Sequence, residues 1–306
     1  MSWLNFLQDP NTRWILLATT LLGLSSGVIG CFAYLRKQSL IGDALSHAAL
    51  PGVCLVFIIT GSKSILLFLT GALIAGILAT LLIGYITRHT RISQDAALGI
   101  TLSFFFGIGI VLLTQIQHSD AGNQSGLDKF LFGQAASMIQ DDVITMIVIS
   151  AILVSVCALF FKEFKLLSFD PGFAKGIGLP VVILDQLIML LIVIAVVVGL
   201  QAVGVVLMAA LLITPAVAAR YWTEKLHVMI MISGMFGVLS GVMGTLLSTV
   251  VKNMPTGPLI VLSATILFIT SMLFAPKRGL VARALLRASV KNKIRVKETG
   301  KELHCE

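Results

Sequence analysis

Charge is what this sequence has least of: Asp, Glu, Lys and Arg make up 12% of its 306 residues, against 57% hydrophobic residues and a mean hydropathy of +1.00. A soluble domain carries about twice that share of charge, so the composition excludes one and places the chain in a lipid bilayer. Cysteine is scarce too. There are four, with no C-x-x-C pair, and Cys31, Cys54 and Cys157 stand inside apolar runs where they read as small buried hydrophobes. A disulfide-stapled secreted domain is thereby excluded. With 8 prolines and 27 glycines, the chain is neither collagen-like nor of low complexity. Nor does it carry the phosphate-cradling signature G-x-x-x-x-G-K-[ST]; Gly61-Ser62-Lys63-Ser64 lacks the preceding glycine frame. No H-E-x-x-H helix occurs either. These absences argue against an enzyme and against ATP binding through a P-loop.

Long apolar runs are what the sequence has instead. A helix needs about 20 largely apolar residues to cross the hydrocarbon core, and nine stretches qualify: 14–34, 43–60, 64–86, 96–116, 142–161, 181–199, 202–219, 227–250 and 258–275. The sixth and seventh share one apolar run, so either could be broken or tilted. The expected architecture is an all-α, polytopic membrane bundle of about 8–9 transmembrane helices, with a membrane domain over 1–276 and a basic tail over 277–306.

Positively charged loops stay in the cytoplasm. Nine crossings with the N-terminus outside put eighteen of the 22 Lys and Arg on the cytoplasmic side, nine of them after Pro276. Eight crossings would put the N-terminus inside; the C-terminus is expected in the cytoplasm either way. Asp9 and Arg13 precede the first run and no small-residue cleavage site follows it, so the first span is expected to be retained. Topology and attraction to anionic membrane lipid account for the net charge of +8 without nucleic acid. Gly234, Gly237, Gly241 and Gly244 share one helical face, as do Gly71, Ala75 and Ala79, which lets helix backbones approach closely.

Ionisable side chains inside a span are costly and therefore functional candidates. The interior offers Asp43, His47 and Asp185, while Asp142 and His227 stand at span edges. Asp185 follows Leu179-Pro180 closely, and snorkelling to the headgroups accounts for it cheaply. Asp43 and His47 are four apart and share a helix face about 6 Å apart along the axis, with Ser46 and Gly42 adding polarity. A carboxylate and an imidazole on one face form half a site for a borderline divalent cation; the bland alternative is a pair that only ties helix ends together. His89 and His118 read as solvated loop residues, and His304 with Cys305 as part of the tail.

The segment 162–180 reads as the longest internal loop. Phe169, Phe173 and Ile177 fall at the spacing of a short helix, with Asp170 and Pro171 suited to its start and Gly176 or Gly178 to its end. Such a helix lies in the headgroups or docks into a groove on a soluble partner.

Gly42-Asp43-Ala44-Leu45-Ser46-His47-Ala48, followed by Leu50-Pro51-Gly52, resembles the signature of permease subunits of bacterial ABC importers for manganese, zinc or iron. Ser168-Phe169-Asp170 with Ala174 and Gly178, the stretch Leu212-Ile213-Thr214-Pro215-Ala216, and Ala275-Pro276 are further matches, in order over roughly residues 14 to 280. The resemblance implies a type II importer-like permease, multi-pass in the bacterial plasma membrane. Asp43 and His47 would coordinate the transported divalent metal on the translocation path, with Ser46 beside them. Phe169, Asp170, Phe173, Ala174 and Gly178, within a coupling segment over 165–179, would seat on the ATPase. It also implies a second permease copy or paralogue, a cytoplasmic ATP-binding subunit that hydrolyses ATP, an extracytoplasmic metal-binding protein, and no permanently bound cofactor. Neutral imidazole binds metal and imidazolium does not, so uptake is expected to fail on acidification. The rival readings are a secondary transporter driven by an ion gradient, with Asp43–His47 as a proton-coupled site, and a structural or signalling subunit in which the pair only packs.

Overall fold

The computed structural model describes residues 10–61, 65–118, 133, 140–250, 254–276 and 279–283; Lys63, Lys129, Lys252 and nearly all of the tail, including His304 and Cys305, lie outside them. Eleven helices and no strand make up these residues: α1 (Pro10–Leu35), α2 (Ile41–Thr60), α3 (Ile65–His89), α4 (Gln94–His118), α5 (Gln140–Leu159), α6 (Phe161–Phe169), α7 (Pro171–Gly176), α8 (Val181–Val203), α9 (Val205–Trp222), α10 (Leu226–Val250) and α11 (Thr256–Phe274). Among the described residues eight are long and apolar enough to cross a membrane, and α9 contributes a shorter apolar stretch, Leu207–Trp222. The apolar run shared by the sixth and seventh expected spans is broken at Gly204, whose φ of +91° suits a residue without Cβ.

Two groups of helices pack through a common middle. α1 lies against α5, α9 and α10, with α11 against α9 and α10; α2 lies against α3 and α4. α8 and α9 touch both groups, and α8 is buried along most of its length. The α1–α10 seam shows why small residues are needed. Gly23 and Gly237 abut backbone to backbone, and a Cβ on either would collide with the other's carbonyl. Polar groups there find partners within the chain: Thr19 and Thr245 share a hydroxyl hydrogen bond of 2.9 Å, and Ser233 Oγ donates to the Gly27 carbonyl at 2.7 Å. A buried hydroxyl left unpaired in lipid would cost about 1–3 kcal/mol.

The segment expected to be a loop between Lys162 and Pro180 is two short helices. Phe164 and Leu167 of α6 are buried, with Phe164 set edge-on to Phe32 of α1 at 5.5 Å between ring centroids. That apolar contact anchors a helix despite its lysines.

Candidate functional site

α2 follows a tight turn in which Lys37 takes the left-handed conformation, φ +57°, and the Ile41 amide donates to the Gln38 carbonyl. Ala44, Ala48, Ala49 and Gly52 then turn a small-residue surface into the bundle. It lets neighbours come close: Gly52 meets the Gly71 backbone of α3, and Gly42 meets Ala209 of α9. The face left over carries Asp43 and His47. Their side chains are 42% and 20% exposed, with His47 Nε2 3.4 Å from Asp43 Oδ1. The helical spacing read from sequence thus produces the expected pair, on a side of α2 that the described residues cover only in part.

Three details shape the pair. Phe106 of α4 stands edge-on to the His47 imidazole, with 4.8 Å between centroids, and restricts how that ring can turn. Nδ1 of His47 is buried and has no hydrogen-bond partner among the described residues. Pro51 lies within α2 four residues after His47 and has no N–H to give, so the His47 carbonyl loses its usual helical donor. Ser46 is placed differently. Its side chain is fully buried and its hydroxyl donates to the Gly42 carbonyl at 2.7 Å. Among the described residues no group of three or more His, Cys, Asp or Glu comes together. A borderline divalent cation prefers four or more donors, and among the described residues no further His, Cys, Asp or Glu joins Asp43 and His47.

Asp185 has partners that the sequence reading did not anticipate. It does not snorkel alone: its carboxylate pairs with Arg36 at the end of α1, and its other oxygen lies 3.6 Å from Arg88 at the end of α3. Burial pushes the Arg36 guanidinium down to about 10, which leaves it cationic at neutral pH. The cluster ties the start of α8 to the ends of two other helices. Topology held the available signal, since all three residues fall at the same end of their spans.

At that same basic end, Asp170 caps α7, its Oδ1 accepting from the Phe173 amide at 2.9 Å, with Pro171 in the first turn. Gly178, φ +87°, closes the turn, and the Leu179 amide donates back to the Ala174 carbonyl. Ala174 is buried, whereas Phe169, Phe173 and Ile177 are each more than half exposed. The expected start and end of this short helix are borne out, although Phe169 belongs to the end of α6. His89 stacks on Tyr85 at 4.4 Å, and His118 Nδ1 lies 2.8 Å from the Thr114 carbonyl; both are exposed and local.

Comparison with known proteins gives this geometry a family. A model of the ABC 3 transport family matches residues 8–275. The manganese transport system membrane protein MntC of Bacillus subtilis (strain 168) is 60% identical over 283 residues, which are 92% of this chain and 65% of that protein. The zinc transport system membrane protein TroC of Treponema pallidum (strain Nichols) is 43% identical over 283 residues, 92% of this chain and 95% of that protein. The chain therefore spans just under two thirds of the first relative's length and nearly all of the second's. Among solved structures it is similar to PsaBC from Streptococcus pneumoniae in complex with Fab, with a TM-score of 0.79 and 34% identity over 90% of this chain and 98% of that one. The chain belongs to the ABC 3 transport family.

Proposed function

We propose that the chain is the membrane-spanning permease of an ATP-driven importer for a divalent transition metal, with Asp43 and His47 as its ligands on the translocation path. The observation that carries this reading is the incomplete pair on the open face of α2, in a chain of a transport family whose relatives are named for manganese and zinc. A second permease, identical or paralogous, brings the remaining carboxylate and imidazole when the two open faces meet. The carboxylate and imidazole suit Mn²⁺, Zn²⁺ and Fe²⁺ with modest discrimination, so geometry sets selectivity. A charged cargo crosses hydrocarbon only where such groups replace its water shell.

Energy comes from outside the chain. ATP hydrolysis is the work of a separate cytoplasmic subunit, which docks on α7 and its flanks: Phe169 and Phe173 are the exposed apolar anchors, Asp170 and Gly178 fix the two ends of the helix, and Ala174 packs it on the bundle. An extracytoplasmic metal-binding protein supplies the ion at the opposite end. The basic end and the C-terminus face the cytoplasm, and transport proceeds by alternating access. Membership of an ABC family does not favour an ion-gradient-driven transporter.

The test is the metal content of washed cells lacking this chain, complemented with wild type or with Asp43→Ala/His47→Ala at equal membrane abundance. Selective loss of one metal, restored by wild type alone, supports the reading and names the cargo. Unchanged metal content in a strain without a redundant importer refutes it.

A further inference from the structure

A second opening lies on the side of the bundle away from α2. α5 and α10 both pack along α1, and between them runs a groove floored by Leu24 and Val28. Cys157 lines it from α5, and Met231 and Gly234 from α10. Its lining is almost wholly apolar. From Leu239 to His227 it follows α10 for twelve residues, about 18 Å at the helical rise. That is close to the roughly 15 Å depth of one leaflet's hydrocarbon.

The character changes at the basic end. Phe161 lines this groove and also a neighbouring depression on the outer face of α6, whose walls include Lys162, Lys165 and Leu166. These positions recur at helical spacing, while Phe164 and Leu167 face the bundle. Both lysines are exposed and neither is in an ion pair among the described residues. Glu163, on the same helix, is half buried, and its Oε2 has no hydrogen-bond partner among the described residues.

We infer that this groove binds one anionic phospholipid, an acyl chain lying between α5 and α10 and the phosphate held at Lys162 and Lys165. An apolar slot of one leaflet's depth takes the chain, and two unpaired ammonium groups at its mouth select the headgroup charge. The inference does not depend on what the protein transports.

The test equilibrates the purified full chain with vesicles of equal parts phosphatidylglycerol and phosphatidylcholine with identical acyl chains, then reads the first retained lipid by native mass spectrometry. Each lysine near an anionic headgroup contributes about 1 kcal/mol, a factor of about five, so wild type should prefer phosphatidylglycerol by roughly 25-fold. Lys162→Gln/Lys165→Gln should bring the ratio near parity, while Lys162→Arg/Lys165→Arg keeps it. Met231→Trp, which fills the slot and leaves the lysines in place, should lose the retained lipid. Monodisperse extraction of each variant controls for folding. Equal binding of the two lipids by wild type, or an undiminished preference in the double Gln variant, would overturn the site.

Discussion

The α1–α10 seam and the outer face of α2 are both built from small and polar residues in apolar helices, yet they end in opposite states. In the seam, Thr19, Ser233 and Thr245 find partners inside the chain, and Gly23 and Gly237 meet without a gap. On α2, the Asp43 side chain is 42% exposed, Nδ1 of His47 has no partner among the described residues, and Pro51 withholds a donor from the His47 carbonyl. Polar residues that are satisfied in place hold the fold. On α2 the Asp43 carboxylate is partly exposed while His47 is largely covered, and within the described residues the pair is not tied into a network as the seam hydroxyls are.

The most damaging way to break the comparison is to fill the closed side. Gly237→Leu forces a branched side chain into the Gly23 backbone, an overpacking of at least about 1–3 kcal/mol that has no flexible neighbour to absorb it. Folded protein in the membrane should be lost, as measured by monodisperse yield after extraction. Phe173→Glu leaves both regions alone but puts a charge on the exposed face of α7. Uptake should fall about tenfold or more, and the ATPase should cease to co-purify, with normal permease abundance. Asp185→Asn strips Arg36 of its carboxylate and should cost about 1–3 kcal/mol of stability, read as faster inactivation on heating; Asp185→Glu should recover most of it. Ser46→Ala should do least. The hydroxyl is committed to the Gly42 carbonyl of its own helix, so stability should shift by under about 1 kcal/mol and uptake should stay within twofold. A large uptake loss there would put Ser46 on the path and redraw the boundary between the two regions.

The sequence shows these features in proportion to how local they are. Membrane-crossing helices declare themselves because about 20 apolar residues must be contiguous, and the Asp43–His47 pair does so because four residues make one helical turn. α6 was hidden by Lys162, Glu163 and Lys165, which read as loop, although Phe160, Phe164 and Leu167 keep a helical stripe beneath them. Gly204 could be placed within a long apolar run but not identified as its break, because a glycine there is equally at home inside a packed membrane helix. The Arg36–Asp185–Arg88 cluster joins three distant segments, and no periodicity encodes such a meeting. The openness of α2's face is a property of the assembled bundle, which decides which side of each helix is covered.

The proposed role of the Asp43–His47 pair on α2 is to bind the transported metal. Its most direct test is the initial rate of radiolabelled manganese and zinc uptake by cells carrying wild type, Asp43→Ala or His47→Ala at matched membrane abundance. Even the outer-shell partners of a bound metal cost about 10- to 100-fold when removed, so each single substitution should reduce uptake to background while extraction and ATPase co-purification stay normal. Uptake at the wild-type rate in either variant would rule that role out.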